Sequence, residues 1–171
     1  EQDTHSKISH LPLKARHIFL KSDKPYNKAW GFNIGTKLSK SNVIVFSDLG
    51  VIMDPNKFIE GLRAIEQYDM VSPYSSVLDL NPQESNLQLQ DMLKIDRPGR
   101  GETDNQKINI CGGISIFRKD AIQKIAGWNE DFIGWGGEDD FQTIKVENFL
   151  TYTTLPYKCY HLYHNREVPN Q

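Results

Sequence analysis

Three adjacent carboxylates, Glu138, Asp139 and Asp140, are the residues of this chain best suited to acid–base chemistry. They follow Gly136 and Gly137, which disfavour a helix interior, so the sequence predicts a hinge at the glycines and a helix that begins near Glu138. All three acids then lie in the first turn, where negative side chains complement the positive end of the helix dipole. That stabilising role is one interpretation of the triplet. The other is that one of the acids is a general base.

The residue before the glycine hinge favours the second interpretation. Trp135 offers a flat aromatic face next to Gly136 and Gly137, where the backbone is free to adapt. Sugar rings bind to such surfaces. The combination of a flat ring and clustered carboxylates therefore indicates a carbohydrate site.

The segment upstream of the triplet predicts the elements that hold it in place. Gly112 and Gly113 allow a backbone approach that no side chain would permit, and the apolar run 114–117 then predicts a buried strand that opens beside something bulky. Residues 119–125 have helical apolar spacing and stop at Gly127, where a C-terminal glycine is expected. The sequence thus predicts a strand and a short helix before the acidic helix.

Residues 111–141, CGGISIFRKDAIQKIAGWNEDFIGWGGEDDF, resemble the C-terminal motif of the β-1,4-galactosyltransferase and chondroitin-synthase type of GT-A glycosyltransferases. In that family a Gly-Gly pair, an apolar strand, a short helix and a WGGEDD run occur in the same order and spacing. The resemblance implies that Asp139 is the catalytic base toward the acceptor hydroxyl. It also implies that five other residues bind the acceptor: Trp135, Gly136, Gly137, Glu138 and Asp140.

A second match to this family lies nearer the start of the chain. Residues 26–38 predict a helix that contains Gly31 and Gly35, and glycines inside a helix indicate tight packing against a strand or a ligand. The first part, YNKAWGFNIG, is similar to the family's helix that runs from the nucleotide site. The resemblance implies that Tyr26 stacks on the uracil and that Lys28 lies near the base or the diphosphate. Judged by residue type alone, the two are a turn aromatic and a surface lysine.

The apolar run 42–46 is the clearest strand in the sequence and is typical of a strand buried on both faces of a parallel sheet. It leads into Asp48, at the strand end where open α/β sheets bind ligands. The family has a D-x-D metal site here, but Gly50 occupies the position of the second acid. Asp54 is an alternative ligand, although its Asp-Pro setting also predicts an N-cap for a helix over 55–67.

The donor site that the resemblance implies also includes three residues that precede the apolar run 114–117, namely Ile110, Gly112 and Gly113. Ile110 occupies the position at which the family's residue lies against the C2 substituent of the sugar. A bulky tyrosine at this position in the galactosyltransferase relatives disfavours an N-acetyl group on the sugar. Because isoleucine is smaller than tyrosine, the resemblance implies a site compatible with GalNAc as well as galactose. Gly112 and Gly113 are expected to contact the donor through their backbone.

His161 and His164 are the candidate metal ligands near the end of the chain. Two imidazoles three residues apart converge on one ion if the backbone turns, and they suit manganese or zinc. If the segment is a strand, the two rings face opposite sides and are packed histidines. The resemblance implies a ligand at His164 and another at His161. The expected site therefore combines both with Asp48 around Mn²⁺ or another divalent cation.

The remaining segments carry weaker signals. Residues 97–107, RPGRGETDNQK, form a polar glycine-rich loop that is either a solvated connector or a mobile lid over the donor. Further predicted elements are strands over 16–20, 69–74 and 151–155, and a short helix within 75–95.

The composition is ordinary for a soluble globular domain, with 171 residues, 38% hydrophobic and 25% charged. A net charge of −2 gives no basic field for nucleic acid, so no nucleic-acid partner is expected. The apolar settings of Cys111 and Cys159 favour packed thiols over a disulfide bond between them. Because the sequence has neither a membrane-length apolar run nor a signal-peptide core, we expect a cytoplasmic chain, with any membrane association made by regions outside it.

Taken together, the resemblance covers nearly the whole chain. It implies one α/β domain over 1–171 with the GT-A, Rossmann-like fold, lacking its first β-α-β portion. The implied activity is an inverting, metal-assisted transfer of galactose or N-acetylgalactosamine from a UDP-sugar to a carbohydrate hydroxyl. Two alternatives stay open: a carbohydrate-binding pseudoenzyme, because one metal acid and the first strand are missing, and a fragment of a larger polysaccharide polymerase.

Overall fold

A computed structural model describes residues 1–7, 15–103, 108–134 and 136–165 of the chain, in which strands and helices are interspersed. The strands are β1 (Gln2–Asp3), β2 (Leu20–Lys21), β3 (Val43–Ser47), β4 (Val51–Met53), β5 (Met70–Ser72), β6 (Ser76–Asp79), β7 (Ile114–Arg118), β8 (Tyr152–Thr154) and β9 (Lys158–His161). The helices are α1 (Lys28–Leu38), α2 (Pro55–Ala64), α3 (Leu89–Met92), α4 (Lys119–Lys124) and α5 (Glu138–Phe149), with a short 3₁₀ helix at Glu84–Asn86. The predicted α/β class is confirmed.

The strands form one central sheet and two smaller ones. The central sheet has the order β3-β7-β5-β8, in which β7 is antiparallel to both neighbours and β5 is parallel to β8. A second sheet has the order β4-β9-β6, and β1 pairs with β2 in a short parallel ribbon. Because β3 and β4 are consecutive but belong to different sheets, the turn between them lies where the two sheets meet.

The burial of strand β3 differs from the prediction made from its sequence. Ile44 and Phe46 are buried in the core, whereas Val45 on the opposite face is 40% exposed. Among the described residues, β3 pairs only with the antiparallel strand β7, so it is an edge strand and is buried on one face. The prediction of a parallel strand covered on both faces is therefore wrong. An apolar run does not reveal whether both faces are covered, because the covering elements come from distant parts of the chain.

Several predicted boundaries also change. The strand predicted over 16–20 is reduced to the two residues of β2, while the strand predicted over 69–74 is present as β5 and ends just before Pro73. Strand β6 was not predicted. Its sequence, SVLD, does not alternate between apolar and polar residues, because Ser76, Val77 and Leu78 are all buried although successive side chains point to opposite faces. Burial from both sides removes the period of two on which strand prediction depends.

Trp128 anchors the core beneath the start of α1. It is 2% exposed, and its ring packs edge-on against Phe32 and Phe46, with centroids 5.1 and 5.4 Å away. These rings join α1, β3 and the loop after α4 in one cluster. Edge-on aromatic pairs of this kind stabilise the packing of α1 against β3.

Both cysteines are buried and free, as predicted. Burial raises the pKa of the Cys111 and Cys159 thiols to about 12, so both stay protonated. In the part of the chain that the structure describes, no helix is long and apolar enough to cross a membrane.

The Gly112-Gly113 pair opens β7 beside a bulky residue, as predicted. Gly113 has a φ of +75°, and a Cβ atom there would lie 2.6 Å from the hydroxyl oxygen of Tyr74. The Tyr74 hydroxyl donates a hydrogen bond to the carbonyl oxygen of Gly112. A side chain at position 113 would therefore meet both an unfavourable backbone angle and a buried tyrosine.

The substitution Gly113→Ala should lower the free energy of unfolding by about 2–4 kcal/mol, the sum of left-handed backbone strain and overpacking. The matched control is Gly35→Ala in α1, where a Cβ atom would meet nothing within 4 Å. Alanine there should raise the free energy of unfolding by about 1 kcal/mol because it favours the helix. Urea unfolding of the two variants measures both changes, and equal effects would contradict the described packing around Tyr74.

Candidate active site

A buried ammonium group joins three carboxylates where α1, α5 and the end of β3 meet. The Nζ atom of Lys28 lies 2.9 Å from Oδ1 of Asp48, 2.8 Å from Oδ1 of Asp139 and 3.5 Å from Oε1 of Glu138. We call these four residues the lysine–carboxylate cluster. It brings together the first residue of α1, the residue after β3 and the first turn of α5.

Lys28 owes its position to a helix cap. The side-chain oxygen of Asn27 accepts a hydrogen bond from the backbone N–H of Trp30 at 2.8 Å, so α1 begins at Lys28 and not at residue 26 as predicted. The ammonium group lies 5.6 and 5.8 Å from the ring centroids of Phe32 and Trp128, whose faces attract a cation. Lys28 is only 8% exposed and is therefore not the surface lysine that its residue type alone suggested.

The glycine hinge starts α5 as predicted and turns Glu138 inward. Gly137 caps the helix with a φ of +87°, and a Cβ atom there would lie 2.9 Å from the ring of Phe132. The Glu138 carboxylate accepts a hydrogen bond from the backbone N–H of Gly136 at 3.1 Å, and the residue is 8% exposed. Glu138 thus faces Lys28 and the hinge itself, which leaves it poorly placed for the acceptor contact that was predicted.

Backbone groups of the glycine pair hold Asp48. The backbone N–H of Asp48 donates to the carbonyl oxygen of Gly113 at 2.8 Å, and the N–H of Gly113 donates back to Oδ2 of Asp48 at 3.3 Å. On the other side, a Cβ atom at Gly112 would lie 3.3 Å from Oδ2 of Asp139. The glycine pair therefore lies against both acids, and a larger residue at position 112 would crowd Asp139.

The cluster contains more negative than positive charge. One ammonium faces three carboxylates, which leaves an excess of two negative charges when all four groups are ionised. Burial raises the pKa of Asp139 to about 6; Lys28 opposes this rise, and Asp48 and Glu138 add to it. Burial alone would lower the pKa of Lys28, but the carboxylates of Asp139 and Asp48 raise it above its ordinary value. Lys28 is therefore a fixed cation, and Asp139 titrates close to neutral pH.

A carboxylate with this pKa suits general-base catalysis. At pH 7 Asp139 is mostly ionised, and it binds a proton more strongly than an ordinary aspartate. Its side chain is 23% exposed, so one face can meet a substrate. Strongly perturbed carboxylates of this kind are concentrated at functional sites.

The shifted pKa predicts that Asp139 destabilises the fold at alkaline pH. Its pKa is higher in the folded chain, about 6, than the ordinary 3.8, so the carboxyl group favours folding while it is protonated. This contribution is complete below about pH 4 and is lost as the pH rises through about 6. The free energy of unfolding of Asp139→Asn should therefore be about 2–3 kcal/mol higher than that of the wild type at pH 8.

Urea unfolding at pH 4 and pH 8 measures this difference. We expect the two proteins to have nearly equal stability at pH 4, where Asp139 is protonated. Asp140→Asn is the matched control, because Asp140 is exposed on the same helical turn. A stability difference that stayed constant between the two pH values would contradict the raised pKa.

The other predicted substrate residues are not all at the cluster. Tyr26 is 58% exposed just before α1, and its carbonyl oxygen accepts a hydrogen bond from the N–H of Gly134 at 2.7 Å, so it remains free to contact a ligand. Ile110 is 7% exposed and belongs to the main core cluster with Trp128. Its contact with the sugar therefore stays a prediction, and in this structure its side chain packs in the core. Trp135 lies outside the described residues.

The two candidate metal-binding histidines converge. Strand β9 ends at His161, the N–H of Leu162 donates to the carbonyl oxygen of Gly50 at 2.8 Å, and the chain then leaves the strand. As a result the Nε2 atoms of His161 and His164 lie 3.3 Å apart, and the rings are nearly perpendicular. The alternative in which the rings face opposite sides of a strand is wrong. Burial lowers the pKa of His161, partly offset by Asp79.

The third expected metal ligand does not join this pair. Asp48 contacts Lys28 and the glycine pair, and the histidines line a separate cavity of about 540 Å³ whose lining does not include Asp48. Asp54 caps α2 by accepting a hydrogen bond from the N–H of Asn56 at 2.8 Å, which confirms the cap. Across residues 1–7, 15–103, 108–134 and 136–165, no three His, Cys, Asp or Glu side chains gather closely enough to hold a metal ion.

Two residues near the histidines were not predicted. Oδ1 of Asp79 lies 3.2 Å from Nδ1 of His161, and the guanidinium of Arg100 binds both oxygens of Asp79 at 2.8 and 3.0 Å. Arg100 and Val77 also exchange two backbone hydrogen bonds, which ties residues 97–103 of the predicted loop to β6. Residues 104–107 of that loop lie outside the described residues. The only sequence signal for Asp79 was its position at the end of a strand, and that strand was itself not predicted.

Comparison with known proteins finds one family match and several structures of similar fold. Residues 102–165 match the family described as the N-terminal domain of galactosyltransferase. A Drosophila β1,4-galactosyltransferase 7 variant, solved with manganese, UDP-Gal and xylobiose, superposes with a TM-score of 0.53 at 14% identity over 80% of this chain. GalNAc-T7, solved with UDP, GalNAc and Mn²⁺, gives a TM-score of 0.56 at 13% identity over 85% of this chain.

The chain has the GT-A fold, and its residues 102–165 resemble the galactosyltransferase family. Its resemblance to this type of protein and its GT-A fold, expected from the sequence, are thereby confirmed. A second structure of the Drosophila enzyme, its catalytic domain with xylobiose, gives a TM-score of 0.52 at 16% identity over 80% of this chain. This chain covers 48%, 49% and 32% of the three solved chains, so it spans about half of their length or less.

The family match covers only part of the lysine–carboxylate cluster. The matched residues 102–165 contain Asp139, the glycine pair and both histidines. Lys28 and Asp48 lie outside the match and reach Asp139 through the fold. The lysine–carboxylate cluster is therefore a tertiary feature that the family match alone does not describe.

Proposed function

We propose that this chain transfers a hexose, galactose or N-acetylgalactosamine, from a UDP-sugar to a hydroxyl group of a carbohydrate. The observation that carries the proposal is the contact of one ammonium group with both Asp48 and Asp139. This contact supports Asp139 as the base, because a carboxylate with a pKa of about 6 then lies beside the strand end where open α/β sheets bind ligands. The solved neighbours support the donor class, since their structures contain UDP-Gal or UDP with GalNAc.

The proposed reaction is a single displacement. The acceptor hydroxyl donates a hydrogen bond to Asp139, and its oxygen attacks C1 of the donor sugar from the face opposite the diphosphate. The C1–oxygen bond to the diphosphate breaks, UDP leaves with that electron pair, and Asp139 receives the hydroxyl proton. Attack from the opposite face inverts the configuration at C1.

Lys28 and the exposed acid of the same helical turn have supporting roles in this mechanism. Lys28 fixes the orientation of the Asp139 carboxylate, because its ammonium binds Oδ1 at 2.8 Å. It also adds positive charge on the Asp48 side of the cluster, where we place the diphosphate. Asp140 is exposed and can accept hydrogen bonds from acceptor hydroxyls. Glu138 holds the hinge and does not contact the substrate.

We propose a divalent cation as cofactor, because two of the neighbours were solved with manganese. The cluster's excess of two negative charges is compatible with such an ion, and the paired nitrogens of His161 and His164 provide ligands. Asp48 would complete the expected set if it exchanged Lys28 for the ion. When bound, the cation supplies positive charge that stabilises a departing diphosphate.

A second candidate function is carbohydrate binding without transfer. It is favoured by Gly50, which replaces the second acid of the D-x-D pattern, and by the engagement of Asp48 with Lys28. In that case the acceptor side of the site would bind sugars, but no donor chemistry would follow.

UDP release separates the two candidates. Incubation with UDP-Gal or UDP-GalNAc, Mn²⁺ and xylobiose or other short saccharides should release UDP and give a saccharide heavier by one hexose or N-acetylhexosamine. UDP-glucuronic acid, a donor outside the proposed class, is the control. We expect kcat/KM to fall below about pH 6, where Asp139 becomes protonated. Saccharide binding by calorimetry with no UDP release from any donor would favour the binding protein and reject the transferase.

A further inference from the structure

The buried hydroxyl group of Tyr74 binds two backbone groups at the start of β7. Strand β5 lies beside β7, but Pro73, the residue after β5, cannot donate to a neighbouring strand because proline has no backbone N–H. Tyr74 follows and is 2% exposed. Its hydroxyl donates a hydrogen bond to the carbonyl oxygen of Gly112 and accepts one from the N–H of Ile114 at 3.3 Å. Burial raises the pKa of Tyr74 above its ordinary value, so the hydroxyl keeps the hydrogen that it donates.

Asp48 binds the same two peptide groups from the other side. The peptide group between Gly112 and Gly113 contacts Tyr74 through its carbonyl oxygen and Oδ2 of Asp48 through its N–H, at 3.3 Å. In the next peptide group the N–H of Ile114 contacts Tyr74, and the carbonyl oxygen of Gly113 accepts from the N–H of Asp48 at 2.8 Å. The carbonyl and N–H of a trans peptide point in opposite directions. Tyr74 and Asp48 therefore hold Gly113 from opposite sides.

The hold from two sides restrains a segment that is otherwise free to adopt many conformations. Gly113 has a φ of +75°, and two successive glycines can reach backbone angles that other residues cannot. Rotation of either peptide group would break one hydrogen bond to Tyr74 and one to Asp48. It would also displace Gly112, where a Cβ atom would lie 3.3 Å from Oδ2 of Asp139. The Tyr74 hydroxyl thus restrains the backbone against which both Asp48 and Asp139 lie.

We infer that Tyr74 is a positioning residue for sugar transfer, because its hydroxyl fixes the glycine pair and thereby the orientation of Asp48 and the space beside Asp139. Tyr74 is buried behind the glycine pair, so it acts through these groups and not by touching the substrate. Its use in transfer rests on the proposed function. Its hold on Asp48 does not, and it can be measured without substrate.

Amide hydrogen exchange of the full chain, followed by NMR without substrate, tests the hold on Asp48. In Tyr74→Phe the amide hydrogens of Gly113 and Asp48 should exchange about tenfold faster or more, relative to the slowest amides of the central sheet, because the turn opens locally. Tyr160→Phe is the matched control, since Tyr160 is 6% exposed and its hydroxyl donates to the carbonyl oxygen of Leu93 at 3.4 Å. That variant should leave both relative rates unchanged. Unchanged relative rates in Tyr74→Phe as well would overturn the inference.

The reciprocal substitution tests the same coupling from the exposed side. The Asp48 side chain is 35% exposed, and Asp48→Ala removes the carboxylate that binds the N–H of Gly113. If both residues hold the same peptide groups, the amide hydrogen of Ile114, which is bound to Tyr74, should also exchange about tenfold faster or more. An Ile114 amide that exchanges as in the wild type would show that the two contacts are independent and that Tyr74 does not position Asp48.

Initial rates of UDP release, measured well below the melting temperature of each variant, test the role in transfer. Tyr74→Phe should lower kcat about 10–100-fold, the size expected when reacting groups are slightly misplaced, and should leave the acceptor KM within about threefold. In the double variant with Asp48→Ala the two losses should be less than multiplicative, because both substitutions free the same peptide groups. Multiplicative losses, or a kcat for Tyr74→Phe within about threefold of the wild type, would reject the positioning role. A wild type that releases no UDP would reject the proposed function and the use of Tyr74 in transfer, whereas the exchange rates alone decide whether Tyr74 fixes Asp48.

Discussion

Replacing Asp139 with asparagine should lower kcat for sugar transfer by about 10²–10⁴-fold, the range that general-base catalysis contributes. Asparagine keeps the shape of the side chain and can still contact Lys28 through its amide oxygen, but it cannot accept the acceptor's proton. KM for the donor should change little, because Asp139 contacts the acceptor and not the diphosphate. The measurement is initial UDP release with saturating donor and acceptor.

The matched control for this prediction lies one residue further along α5. Asp140 is exposed on the same turn, and Asp140→Asn should change kcat by less than about tenfold because the base remains. If Asp140→Asn abolished transfer while Asp139→Asn kept more than a tenth of the rate, the assignment of the base to Asp139 would be wrong. Both variants should be checked for folding by circular dichroism before the rates are compared.

Replacing Lys28 with methionine should be the most destabilising change at the site. The substitution leaves Asp48, Asp139 and Glu138 without their shared ammonium, and breaking a buried ion pair by removing one partner costs about 3–5 kcal/mol. The cost should be largest at pH 8. It should shrink at pH 5, because the pKa of Asp139 rises further without Lys28 and its protonated form no longer needs a cation.

Urea unfolding at pH 5 and pH 8 measures the effect of Lys28→Met. Lys57→Met is the control, since Lys57 pairs with Glu60 at 3.0 Å on the surface and such pairs contribute about 0–1 kcal/mol. The double variant Lys28→Met/Asp139→Asn should lose less stability than Lys28→Met alone, because it removes one of the unpaired charges. A loss below about 1 kcal/mol for Lys28→Met at pH 8 would show that the cluster does not form as described.

The proposed chemistry has two parts, a base at Asp139 and a cation site that includes His161 and His164. The base side depends on contacts among four described residues and can be tested by single substitutions. The cation site depends on the imidazoles of His161 and His164, whose Nε2 atoms lie 3.3 Å apart, and on Asp48, which forms an ion pair with Lys28. Measuring metal affinity and UDP release in the same set of variants would show whether the two sites act together.

Local signals explain which features could be predicted from sequence. The Asp-Pro cap of α2, the glycine hinge before α5 and the glycine after α4 depend on backbone conformations that a few neighbouring residues determine. Each of these boundaries was predicted to within a few residues. The motif of residues 111–141 also carried the family resemblance, because its glycines and acids recur at fixed spacing.

Contacts across long separations explain what the sequence could not predict. Lys28 and Asp139 are 111 residues apart, and only the packing of α1 against β3 and Trp128 buries the lysine between the acids. The burial of Ile110 in the core was not predicted either, because the cluster around it includes residues of α1 and α5 that are distant in sequence.

The amino-acid sequence by itself determined the α/β class, the succession of the main strands and helices along the chain, the position of the acidic helix and the candidate base. These features depend on residue type and short spacing. Only the tertiary structure decided that β3 is an edge strand, that Glu138 turns inward, and that Asp79 orients His161. Strand register and side-chain burial decide such features, and both arise from residues that meet only when the chain is folded.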